Sequence, residues 1–210
     1  MINKQFFYIS GVPASGKSTF LREIEGKFGK NIQIIPEFLE PFPKFVNDAG
    51  KIGLEQRMAA QKWAIDQHAK KNEIAQESPH DIVVMERGIV DALAYSWALG
   101  NQVYSFSLEY TNKYNWIPGN VLLLDAPEEV IKSRFMLRDT ITEKDWTSYW
   151  EPYMRKIREG FLKTEILLPQ FSFHRIDTNH ELKEGQKLFL KNFEGLLSET
   201  ASSKLRYYRK

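Results

Sequence analysis

The run Gly11-Val12-Pro13-Ala14-Ser15-Gly16-Lys17-Ser18 has the spacing GxxxxGK[ST], and its residue types suit the grip of a polyphosphate. Glycine lets the backbone turn tightly, so that several N–H groups face one anion, and a helix starting at the end of the run adds its positive dipole. Lys17 is placed to reach β- and γ-phosphates and Ser18 to offer a hydroxyl to Mg²⁺. Thr19 can touch the phosphates or simply start the helix. Gly11, Ala14, Ser15, Gly16, Lys17, Ser18 and Thr19 are therefore the expected contacts of a nucleoside triphosphate, ATP or GTP.

Three further groups could act on such a ligand. Met85-Glu86-Arg87-Gly88 follows an apolar run, which puts a carboxylate and a guanidinium where a strand ends. Glu86 can orient the metal or its water, and Arg87 can hold an acceptor or the transferred phosphate through its planar fork. Ile35-Pro36-Glu37-Phe38-Leu39-Glu40 follows another apolar run, and either Glu37 or Glu40 could take the proton of an attacking hydroxyl. Lys132, Arg134 and Arg138 could close over the triphosphate, Arg134 and Arg138 from one helical face, and stabilise charge in flight.

Some residues carry a weaker signal. Gln56, Arg57, Gln61, Gln67 and His68 could read an acceptor's polar edge or lie solvated on a long helix. Tyr110 and Tyr114, with the five tryptophans, read mainly as packing. Four histidines without zinc-like spacing, and no cysteine, give no structural metal.

These groups need strands to end beside one another. Apolar, β-branched runs at 5–10, 32–35, 82–85, 121–124 and 173–176 alternate with helical stretches at 19–28, 54–76, 89–99 and 105–116. Another helix begins at Pro127, and Asp145 is placed to cap a long one after it. On the 54–76 helix, Leu54, Met58, Ile65 and Ala69 should share a buried face. Strand alternating with helix implies a parallel sheet covered on both faces, with ligands at the carboxyl ends of the strands. The 210 residues read as one α/β domain, a three-layer sandwich with a helical lid at about 132–146.

Charge narrows the partners. Lys and Arg number 29 against 27 Asp and Glu, a net +2, so no global basic field draws in nucleic acid or a membrane surface. With no signal-like leader and no membrane-length apolar run, the chain reads as cytoplasmic.

Taken in order, the motifs resemble the P-loop nucleoside and nucleotide kinase superfamily, most nearly its deoxynucleoside kinase and thymidylate kinase branch. Ile35-Pro36-Glu37 is similar to the segment that carries the deoxynucleoside kinase base, and Glu86-Arg87 to that family's Glu-Arg pair. Arg134 and Arg138 match lid arginines, and Ile176-Asp177-Thr178-Asn179 resembles the loop that borders adenine, which adds Thr178 to the nucleotide contacts. Glu86 to Tyr95 also resembles a thymidylate kinase stretch, with Gly88 in place of its aromatic and Ser96 in place of its glutamine. Pro36 stands where thymidylate kinases carry an arginine. Arg87-Gly88, Asp91 and Ala94-Tyr95 resemble, too, ATPases related to nicotinamide riboside kinases.

The resemblance implies a sheet order 2-3-1-4-5, homodimerisation and an ATP- and Mg²⁺-dependent kinase acting on a small nucleoside- or nucleotide-like acceptor. Two other functions use the same loop: a regulatory ATPase without an acceptor, and a polynucleotide end kinase, which the near-neutral charge disfavours.

Overall fold

Side chains alternate across a strand, so a strand apolar at every position needs cover on both faces. The computed structural model describes residues 4–41, 43, 53–138, 141–180 and 182–207, and it meets that need with two helical layers. The strands are β1 (Gln5–Gly11), β2 (Gln33–Ile35), β3 (Ile82–Glu86), β4 (Asn120–Asp125) and β5 (Ser172–Asp177). All pair in parallel in the order β2-β3-β1-β4-β5.

On one face, Phe7, Ile9, Val84, Leu122 and Leu124 pack with Phe20 and Ile24 of α1 (Lys17–Phe28) and Phe189 and Phe193 of α8 (Leu182–Tyr207). On the other, Tyr8, Val83, Met85, Val121 and Leu123 meet α2 (Leu54–Glu77), α3 (Ile89–Ala98) and α7 (Glu151–Leu167), through Ile65, Leu93, Ile157 and Phe161 among others. Burying each large apolar side chain contributes roughly 1.5–3 kcal/mol. A one-residue slip of β1 would send Phe7 and Ile9 to the layer shaped for Tyr8, so the two-sided pattern fixes the register.

Close approaches set the angle of α3, whose start carries part of the site. A Cβ on Gly160 of α7 would lie 2.3 Å from the carbonyl oxygen of Ala94, so only glycine lets these helices cross so tightly. No helix among the described residues is long and apolar enough to cross a membrane.

Three local expectations need correction. The helix expected at 105–116 is α4 (Asn101–Thr111), which starts directly after Gly100, at φ 113°, and stops before Tyr114. Asp145 is not the cap of the late helix. Thr142 caps the short turn that leads into it, accepting from the Asp145 amide at 3.2 Å while Asp145 Oδ2 accepts from the Thr142 amide at 2.9 Å. The reciprocal pair is a capping box, which moves the helical start three residues earlier. From there a short turn, α6 (Glu143–Asp145), and a π-helical stretch (Trp146–Trp150) run into α7. Leu54 is 39% exposed, whereas Ile65 and Ala69 are buried as expected and share the buried side of α2 with Gln61, Gln67, His68, Lys71 and Asn72. The region expected to act as a lid is anchored by Ile131 and Phe135 of α5 (Glu128–Arg138) and by Trp146, all buried.

Candidate active site

A cleft of about 890 Å³ opens at the carboxyl ends of β1 and β3, where parallel strands leave room between their outgoing loops. Ala14, Ser15, Gly16, Lys17, Ser18 and Thr19 line it, together with Glu37, Glu86, Arg87, Arg134, Arg138 and Thr178. The phosphate-loop residues 14–19 and Glu37, Glu86, Arg87, Arg134, Arg138 and Thr178 thus converge on one cavity as expected, whereas Gly11, Glu40 and Lys132 do not line it. Phe20, Arg22 and His180 also line it without having been expected.

Backbone geometry explains the loop's composition. Gly11 has φ 141°, and a Cβ there would come within 2.2 Å of the Leu124 carbonyl oxygen. Gly16 has φ 95° and opens α1, while Ala14, at φ 60°, pays a strain of roughly 1–2 kcal/mol that a glycine would avoid. Lys17 is buried, and its Nζ donates to the carbonyls of Val12 at 2.8 Å and Gly11 at 3.1 Å. Burial, then the nearby Arg87 charge, lower its pKa to about 7.

Ser18 Oγ donates to Glu86 Oε1 at 3.0 Å, which brings two hard oxygen donors together at the cleft wall. Their chemistry suits Mg²⁺, which binds through one or two protein oxygens and keeps other positions for water and phosphate.

Opposite the loop, Arg87 organises a charged cluster. Its Nε lies 2.7 Å from Glu37 Oε1, and its Nη1 lies 3.2 Å from Asp91 Oδ1 and donates to the Gly11 carbonyl at 3.3 Å. Tyr95 stacks its ring 4.7 Å from the guanidinium carbon. Asp91, only 2% exposed, also accepts from Ser10 Oγ at 2.7 Å and from the Gly88 amide at 3.1 Å. Asp91 thus couples the phosphate loop, Arg87 and the start of α3. Glu37 and Glu40 part here: Glu37 enters the cleft, whereas Glu40 pairs with Lys70 at 2.6 Å on the exposed side.

Arg134 reaches the loop after β5, where its Nη2 donates to the Thr178 carbonyl at 2.6 Å and its Nη1 to Thr178 Oγ1 at 3.2 Å. Thr178 in turn ties that loop to β4, donating from its amide to the Asp125 carbonyl at 2.8 Å. Lys132 turns outward and pairs with Glu143.

Sequence reasoning gave no role to Asp91, Tyr95 or Lys71. Lys71 Nζ donates to the carbonyls of Glu37, Glu86 and Arg87, and burial lowers its pKa to about 7. The signal was a cadence of polar residues at 61, 67, 68, 71 and 72, helical spacing that also fits a buried polar face. On that face His68 is held neutral, its pKa far below the usual histidine range through burial and then the Lys71 and Arg87 charges.

Known proteins agree with this architecture. Residues 6–156 match a family model described as an AAA domain. A probable thymidylate kinase 1 of Saccharolobus solfataricus is 29% identical, covering 88% of this chain and 96% of the relative. A probable thymidylate kinase of Pyrococcus horikoshii is 28% identical over 79% and 84%. Among solved structures, a deoxyadenosine kinase from M. mycoides superposes with a TM-score of 0.72 at 18% identity, covering 91% of this chain and all of the other, a likeness of fold.

Proposed function

The chain belongs to the AAA-domain family, within the P-loop nucleoside and nucleotide kinase superfamily, and on that premise we propose that it moves the γ-phosphoryl group of ATP to a hydroxyl of a nucleoside-like acceptor. The observation that carries this reading is the Glu37–Arg87 pair, 2.7 Å apart and facing the phosphate loop across one cleft. A carboxylate opposite a polyphosphate site can accept the proton of an attacking hydroxyl, and a guanidinium beside it can hold the oxygens that gain charge.

The residues divide the work. The loop amides at 14–19 and Lys17 grip the phosphates, with Thr178 at the wall of the nucleotide side. Lys17 donates to carbonyls, and burial outweighs the Asp91, Glu37 and Glu86 charges that favour its ammonium, so a bound polyphosphate would raise its depressed pKa and secure its charge. Arg87, Arg134 and Arg138 offset charge as the phosphoryl group moves, while Glu37 accepts the acceptor's proton. Ser18 and Glu86 are the residues that would hold Mg²⁺, whose contribution is to neutralise charge on the phosphate oxygens.

A second reading, a nucleoside monophosphate acceptor, draws on the names of the two sequence relatives. An acceptor that is already a phosphate anion needs no base, so Glu37 would then serve to orient Arg87. Measuring ADP release with MgATP across nucleosides, nucleoside monophosphates and nicotinamide riboside separates the two. Strong stimulation by a nucleoside is the expected result. Stimulation only by monophosphates favours the second reading, and turnover indifferent to every acceptor refutes both.

A further inference from the structure

Lys71 lies in the last third of α2 at 1% exposure, and its ammonium faces three backbone carbonyls: Glu37 at 3.2 Å, Arg87 at 3.0 Å, and Glu86. An ammonium has three N–H donors and no acceptor, so these carbonyls use its whole capacity. Taking a lysine out of water costs several kcal/mol, which an apolar side chain of similar length would avoid. What the ammonium supplies instead is a single point that ties two segments distant in sequence, the turn after β2 and the turn after β3.

Those two turns, with the last residue of β3, carry Glu37, Arg87 and Glu86. Arg87 has φ 60°, in the left-handed region, a conformation that persists only where the surroundings over-determine it. Here its amide donates to the Ile9 carbonyl at 3.0 Å, its carbonyl accepts from Lys71, and the next amide is held by Asp91. The β2 turn is held from the same helix a second time. Gln67, one turn before Lys71 and 1% exposed, accepts through Oε1 from the amides of Leu39 at 3.1 Å and Glu40 at 3.2 Å. Neither Lys71 nor Gln67 lines the cleft, so both act through other residues.

We infer that Lys71 is a positioning residue for phosphoryl transfer, fixing Glu37 against Glu86 and Arg87 by holding their three carbonyls, with Gln67 steadying the far side of the Glu37 turn. The inference rests on the roles given to Glu37 and Arg87 under the proposed function, and its test has an arm independent of turnover.

In crystals of Lys71→Met, the Glu37–Arg87 pair should open and Arg87 should leave the left-handed region. A pair and turn that persist unchanged overturn the inference, whatever the enzyme does. In kinetics, kcat should fall on the order of 10–100-fold, the usual cost of losing a group that orients an active-site residue, with MgATP affinity by calorimetry unchanged. The double variant Lys71→Met/Glu37→Gln should lose less than the product of the two single losses, because part of what the lysine orients is the glutamate. Losses that multiply would overturn the inference.

Should Lys71→Met fail to fold, the absence of cysteine from the chain offers another route. Lys71→Cys, aminoethylated in denaturant and refolded, rebuilds an ammonium at lysine length. Recovery of both the Glu37–Arg87 pair and kcat is expected. A folded, modified protein that recovers neither contradicts the assignment.

Discussion

On the side of the cleft proposed to take phosphate, most of the lining comes from one stretch, residues 14–19, whose proposed grip is largely main-chain amide. On the other side, Glu37, Lys71, Glu86, Arg87 and Asp91 arrive from the turn after β2, from α2, from β3 and its turn, and from α3. The first arrangement needs glycine and a helix start. The second needs charged side chains, of which Arg87, Asp91 and Lys71 are buried, to find partners among one another and among backbone carbonyls, where each missing partner is costly. The difference teaches that the proposed nucleotide grip can be written locally, whereas the proposed acceptor side depends on the whole packing of α2 and α3 on the sheet.

The sharpest way to break this contrast is to remove one group from each side. Lys17→Ala should lower transfer on the order of 10³-fold, as loss of a group that stabilises charge in the transition state does. It should also weaken MgATP binding, measured by calorimetry, without lowering the thermal midpoint, since a buried and desolvated ammonium is removed. Glu37→Gln should slow the chemical step about 10²-fold while MgATP binds as before, read by single-turnover quench. Equal losses of nucleotide affinity in both variants would erase the distinction between the sides.

A smaller effect sharpens it through pH. His68 belongs to the acceptor-side helix, is fully buried, and has a folded pKa well below its unfolded value. Below the unfolded value near 6.5 the unfolded chain takes up a proton that the folded chain refuses, so stability must fall as pH drops through that range. The loss attributable to this one group approaches about 1.4 kcal/mol per pH unit. Denaturant midpoints of wild type and His68→Phe between pH 7 and pH 5 should diverge, with the variant losing less. Parallel curves would remove His68 from the account. The smallest expected effect is Glu40→Gln, which leaves turnover unchanged because Glu40 pairs with Lys70 outside the cleft. A loss comparable to that of Glu37→Gln would reverse their assignment.

Much of this was legible in the chain itself. The strands read from apolar runs lie within a residue or so of those observed, because strands covered on both faces need continuous apolar sequence. The loop at 11–18 could be read because its chemistry depends on neighbours in sequence. Thr142 was overlooked as a cap because Asp145, a good capping type, reads as the start when the reciprocal pair is not seen. Glu37 could not be separated from Glu40, since both follow β2 and only the contacts of Arg87 and Lys70 tell them apart. Lys71 was least legible. A lysine on a long polar helix is ordinarily solvated, and nothing in the order of residues shows that the carbonyls of Glu37, Glu86 and Arg87 will meet at one point.

The most direct test follows the phosphoryl group itself. With γ-labelled ATP, Mg²⁺ and the nucleoside that most stimulates ADP release, a single turnover of the wild-type protein should place the label on an acceptor hydroxyl, and Lys17→Ala should leave it on ATP. Label released as inorganic phosphate at the same rate with and without any acceptor would contradict the account.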